Sequence, residues 1–187
     1  MKIYRPVKTA LISQGFGVAQ TTPSMIPAYN AIGLKAHNGL DFVVKCVDNQ
    51  VKHGGQCEAV FMNVTGVTLQ VLSFQQDDNG GFGINAVDEN GDKYCWWHFD
   101  ALYPAIKVGD KLTFGQVLGV SGNTGMSTGA HCHFGYYPKG ENLNNGFGGA
   151  SSPEPFFTDK FCLDIKSQID IIQKMIEVYK AIINIIK

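Results

Sequence analysis

The sequence is poor in the features that would place it in several large classes. No run of about 18 uncharged apolar residues occurs anywhere in the 187 residues, so no transmembrane helix is expected. The opening MKIYRPVKTALISQGFG carries positive charge, but its apolar stretches are too short and interrupted for the core of an export signal. No signal peptide and synthesis in the cytoplasm are the expectation. Fifteen lysines and arginines stand against sixteen acidic residues and are scattered along the chain. Nothing there builds the basic surface that neutralises a phosphate backbone, and nucleic acid is not an expected partner. The five cysteines are an odd number without a CxxC pair, which argues against a zinc ribbon and against a complete disulfide framework. Mostly reduced thiols are expected.

With 44% hydrophobic and 17% charged residues, the chain has the balance of a folded globular protein, and its length suits one domain with an appended element. From about residue 40 to 137 it is a succession of short apolar runs: LDFVVKCV, EAVFMNV, VTLQVLSF, FGINAV, KYCWWHF and QVLGVSG. Each has strand length, and DNGG and ENGD between them are hairpin signals. The fold class expected is mainly β, an antiparallel sandwich or open barrel. The Gly-, Asn- and Ser-rich stretch 138–155 reads as a loop or linker where the domain closes.

Beyond it the period changes. Ile165, Ile169, Ile172, Ile176, Tyr179, Ile183 and Ile186 recur at alternating steps of four and three, a heptad seam. Ile171, Met175, Val178, Ile182 and Ile185 form a second seam beside it, too wide for a two-stranded coil alone. This C-terminal α-helix needs a partner surface: its own domain, another copy, or another protein. The expected division is residues 1–160 for the β domain and 161–187 for the amphipathic helix.

Of the five histidines, four have informative neighbours. Side chains alternate faces along a strand, so in STGAHCHFGYY His131 and His133 point one way and Cys132 the other. In HNGLDF, His37 and Asp41 lie an even spacing apart and share a face. Imidazole and carboxylate together suit zinc, and three protein ligands leave a fourth position for water. Such a water has its pKa lowered to roughly 7, which supplies a nucleophile at neutral pH. Either spacing alone also occurs among ordinary core histidines; the two together point to a metal site, although an HxH pair can supply one ligand or two. His98 is a further histidine in the aromatic run YCWWHF, and His53 in VKHGGQC reads as a plain loop residue. The run SGNTGMSTGAH reads as a β-hairpin turn, since the lysine and helix of a phosphate-binding loop are missing.

In this order and spacing, GLKAHNGLDF, YCWWHF and VGDKLTFGQVLGVSGNTGMSTGAHCHF resemble the lysostaphin-type, LytM-like zinc metalloendopeptidases, which cut peptide bonds in bacterial peptidoglycan. The ordered match runs from QGFG at about residue 14 to Phe134. The resemblance implies one Zn2+ held by His37, Asp41 and His133, with His131 and His98 unligated beside it. It further implies His131 as general base toward the attacking water, and His98 as a hydrogen-bonding partner of the oxyanion or of that water. Cys132 stands where leucine is common, which should affect packing only. Trp96 stands two before His98 where tyrosine is common, and is expected to alter a hydrogen bond near the substrate groove.

A wall hydrolase without an export signal suggests a bacteriophage protein, carried in the virion at the tail tip or released to the cell wall at lysis. The terminal helix would then serve self-association or contact with a virion protein. The alternative is a phage structural or wall-binding protein in which the peptidase fold is non-catalytic or secondary; retention of all five positions speaks against it.

Overall fold

The computed structural model describes residues 1–9, 11–18, 25–44 and 57–186. The expectation for His53 lies outside them. In chain order the elements are β1 Lys2–Arg5, β2 Ile12–Gln14, α1 Met25–Ala31, β3 Leu40–Val43, β4 Ala59–Phe61, β5 Val64–Thr65 and β6 Leu69–Asp77. They continue as β7 Gly81–Asp88, β8 Lys93–Leu102, β9 Lys111–Leu112, β10 Val117–Ser121, β11 His131–Tyr137, β12 Phe157–Phe161 and α2 Cys162–Ile186.

The expected class is the one observed: mostly antiparallel β with a C-terminal helix. The larger sheet runs β2-β3-β11-β8-β7-β6-β9, with β10 against β8 and β4 beyond it. A smaller sheet, β12-β1-β5, packs on its apolar face. Alternation along each strand builds the interface between them. In β11, Cys132, Phe134 and Tyr136 enter the core while His131 and His133 face the other way. In β3, Leu40 and Phe42 enter and Asp41 faces out. Ile3 and Val64 of the small sheet join the same core, and the rings of Phe42 and Phe157 meet at 5.7 Å.

One feature narrows the sequence reading and two depart from it. The stretch 138–155 is a packed loop, not a linker: Lys35 N donates to Gly146 O, Ser151 N donates to Tyr136 O, and Phe147 lies 4.7 Å from Phe16 ring to ring. After it the chain returns as β12, parallel to β1, a long-range pairing that local pattern does not announce. The short helix α1 was also not expected; Gly33 at φ 76 ends it, with Gly33 N on Asn30 O and Leu34 N on Tyr29 O, so the chain turns toward His37.

The first turn of α2 is docked. Cys162, Leu163 and Ile165 pack with Tyr4, Phe114 and Phe161. Beyond it the helix leaves the domain: Ile171 is 58% exposed and Met175 51%. Packing of the whole apolar face on its own domain is therefore not what the chain does. Among the described residues, no helix is long and apolar enough to cross a membrane. Cys95, Cys132 and Cys162 are free and buried, in keeping with mostly reduced thiols, while Cys57 is disulfide-bonded.

Candidate active site

The register of the large sheet assembles the site. β11 lies between β3 and β8, and His133 is paired with Asp41 on one side and Trp97 on the other. Asp41 and His133, far apart in sequence, thus become cross-strand neighbours on the face opposite the core. His37 enters from the segment between α1 and β3. Its Nδ1–H donates to Gly15 O at 3.0 Å, which leaves Nε2 with its lone pair toward the other two groups.

His37 Nε2, Asp41 Oδ1 and His133 Nδ1 form a nearly equilateral triangle: 3.0 Å between the imidazole nitrogens, 3.0 Å from His37 to Asp41, and 2.9 Å from His133 to Asp41. Ligands about 2.05 Å from a tetrahedral zinc stand about 3.3 Å apart, so the triangle matches one face of such a tetrahedron. The set is buried and of the hard and borderline donor types zinc accepts. These residues fit a metal ion.

Electrostatics agree with the geometry. Burial alone would raise the Asp41 carboxyl, but His131 nearby and the imidazoles of His133 and His37 against it hold it well below the usual carboxylate range. Asp41 is an anion at neutral pH. Burial lowers His133, against the opposing pull of Asp41. Burial, with His131 and His133 beside it, pushes His98 down to about 3, so it is neutral at neutral pH.

His131 and His98 stand together at the edge of the triangle, ring centres 4.6 Å apart, with His131 Nε2 3.5 Å from Asp41 Oδ1. Each is fixed through its other nitrogen. His131 Nδ1–H donates to Gly129 O at 2.8 Å, and His98 Nδ1–H donates to Thr124 O at 2.7 Å. Both acceptors belong to the loop joining β10 to β11. That loop is more than the plain hairpin turn read from the sequence, since its carbonyls set the tautomer of both rings. A Cβ on Gly125 would lie 2.3 Å from Gly81 N, and one on Gly122 2.6 Å from Asp100 N; Gly129 meets no such neighbour. The first two glycines are there for close approach.

His98 has φ 65, the one positive value at a non-glycine among the described residues. Between Phe82↔Phe99 and Ile84↔Trp96, β8 carries one residue more than β7, a bulge at Trp97 and His98. Alternation fails there, so both residues face the cleft. Trp96 consequently lies in the core, its Nε1 donating to Asn63 Oδ1 at 2.8 Å. The expected effect of Trp96 on the groove is corrected: the tryptophan lining the cleft is Trp97.

The structure thus brings together all five residues named from the sequence: His37, Asp41, His98, His131 and His133. It adds Tyr29 and Gln14, which the sequence reading missed. Tyr29 of α1 lines the cleft and its hydroxyl donates to Gln14 Oε1 at 3.3 Å. No spacing motif marks them.

Known proteins share both the sequence pattern and the fold. Glycyl-glycine endopeptidase ALE-1 of Staphylococcus capitis is 35% identical over 79 residues, 41% of this chain and 20% of that protein. Lysostaphin of Staphylococcus simulans is 33% identical over 76 residues, 41% of this chain and 14% of its own length. The chain thus spans a fifth or less of these curated relatives. The solved catalytic domain of the Staphylococcus simulans lysostaphin superposes with a TM-score of 0.55 at 22% identity, covering 79% of this chain and 91% of that one, a likeness of fold. The model of peptidase family M23 matches residues 35–145, more than half the chain, and takes in all five site residues. The chain belongs to peptidase family M23.

Proposed function

We propose that the chain is a zinc endopeptidase that hydrolyses peptide bonds in the stem peptides or cross-bridges of bacterial peptidoglycan. The observation that carries this reading is the 3 Å triangle of His37, Asp41 and His133 beside two histidines whose Nδ1 atoms are already committed to backbone carbonyls. The names of the relatives, a glycyl-glycine endopeptidase and lysostaphin, support the substrate class.

In this reading His37, Asp41 and His133 hold one zinc ion, which when bound polarises the scissile carbonyl and lowers the pKa of water. With its Nδ1 donating to Gly129 O, His131 offers Nε2 as acceptor and takes a proton from the attacking water. His98 has the same tautomer through Thr124 O and stays neutral, so its Nε2 also accepts. Of the two roles expected for His98, orientation of the water fits this tautomer, and donation to an oxyanion does not. Once His131 carries the proton, it is placed to deliver it to the departing amine.

The test is zinc content and wall lysis of the protein and of His131→Ala, on glycine-bridged and diaminopimelate-type walls. The expected outcome is about one zinc per chain in both proteins, with lysis lost only in the variant. Zinc lost together with His131 would refute the ligand set; zinc without lysis of either wall by the parent would favour a wall-binding role.

The projecting helix α2 supports a further part of the proposal, self-association. Isoleucine at both apolar positions of the heptad, Ile165, Ile169, Ile172 and Ile176, favours three or four strands over two. A place in a larger assembly such as a phage tail rests on the same helix.

A further inference from the structure

We propose that Trp97 is the positioning residue of His133, and that a flat aromatic stack takes the place of the hydrogen bond that usually orients a metal-ligating imidazole. The inference rests on the reading of His133 as a ligand.

Ligating histidines normally donate their second N–H to a carboxylate, carbonyl or water, which fixes ring orientation and tautomer. Three of the four site imidazoles here follow that pattern, with His37 on Gly15 O, His98 on Thr124 O and His131 on Gly129 O. His133 does not. Its Nδ1 faces Asp41 and His37, and its Nε2 is buried without a hydrogen-bond partner among the described residues. Left to that, the ring would be free to turn about its Cβ–Cγ bond and carry Nδ1 out of the triangle.

A slot prevents this. The indole of Trp97 lies parallel to the imidazole, at 5.2 Å between centres and 13° between planes. At the ring edge stands Gly39, where a Cβ would sit 2.6 Å from Cε1 and 2.7 Å from Nε2 of His133, so only glycine admits the ring in this place.

The indole is itself held. Trp97 Nε1 donates to Asn85 Oδ1 at 2.9 Å, and Asn85 Nδ2 donates to Ser73 Oγ at 3.1 Å and Gln75 Oε1 at 3.2 Å. Gly83 across the strand gives it room, since a Cβ there would lie 2.7 Å from Trp97 Cδ1. A rigid line from β6 through β7 to the bulge of β8 therefore ends on the face of His133. An imidazole that ligates a cation is electron-poor, and the π face of the indole favours that state over the free one. The stack should thus strengthen metal binding as well as aim the ring.

The experiment uses the full chain freed of metal by chelation, with Trp97→Leu, Trp97→Phe and Asn85→Ala. Zn2+ affinity is measured by competition with a chromophoric chelator, the Co2+ absorption spectrum reports coordination geometry, and thermal unfolding of the metal-free forms shows that each variant folds. Trp97→Leu is expected to weaken Zn2+ by about 10–100-fold, the range known for outer-shell partners, and to alter the Co2+ spectrum. Trp97→Phe, which restores a flat face, should recover most of the loss, and Asn85→Ala should weaken binding measurably with the indole still present. Parental affinity and an unchanged spectrum in Trp97→Leu would overturn the proposal; should that variant not fold, parental affinity in Asn85→Ala would do so. Failure of the parent itself to bind Zn2+ would instead overturn the metal reading on which this rests.

Discussion

At the scale of the residue, His98 combines a left-handed backbone with a side chain kept neutral by burial and by its histidine neighbours. Its folded pKa is about 3, against roughly 6.5 in an unfolded chain. As pH falls from 6.5 toward 4 the unfolded chain takes up this proton and the folded chain does not. The metal-free protein should therefore be most stable above pH 6.5 and lose stability on acidification, by at most about 1.4 kcal/mol per pH unit from this group. His98→Asn, whose side chain tolerates a positive φ, should flatten the slope of Tm against pH in that window. Asp41→Asn removes the one anionic donor of the triangle. It should weaken Zn2+ by more than about 100-fold, since even partners outside the coordination shell are worth 10–100-fold, and competition titration measures it directly. His131 and His133 were legible from their even spacing on a strand, and His37 and Asp41 from theirs in HNGLDF, although His37 precedes β3. His98 carries no such spacing and was legible only through the family resemblance. The carbonyls of Thr124 and Gly129 were not, since a backbone acceptor leaves no mark in residue type.

At the scale of the element, the bulge in β8 decides what the cleft is made of. Strict alternation would put Trp96 beside His98; one extra residue puts Trp97 there and sends Trp96 into the core. A run of aromatic residues carries no signal for where such an insertion falls, which is why the sequence pointed at the wrong tryptophan. Gly83 opposite the bulge is its structural counterpart, with a Cβ there only 2.3 Å from Trp96 O. Gly83→Val should force β7 away from β8 and cost about 1–3 kcal/mol, read as a lower denaturant midpoint. Zn2+ affinity should fall with it, because the bulge carries the stack on His133. On the core side of β11, Phe134→Ala should cost about 3–5 kcal/mol by the same measurement.

At the scale of the whole molecule, the β domain and the helix are joined by one docked turn. Truncation after Ser167 keeps Cys162, Leu163 and Ile165 on Tyr4, Phe114 and Phe161 and removes the projecting part. Light scattering coupled to size exclusion should give an oligomer for the full chain and a monomer for the truncated one, with unchanged Zn2+ binding; a full chain that stays monomeric refutes self-association. The helix was legible from its period and the antiparallel domain from its strand-length runs. The parallel return of β12 to β1 was not, because it joins segments from opposite ends of the sequence, and no local pattern encodes that partnership.

The pairing of β3 with β11 has a consequence in time. Asp41 and His133 are 92 residues apart, so a ribosome finishes the first long before it begins the second. A nascent chain that has reached the end of β8 already contains His37, Asp41 and His98, yet has no closed donor triangle and lacks His131. On the function proposed above, activity should appear only when the strand that completes the sheet arrives, and any product of interrupted synthesis ending before His131 should be inert.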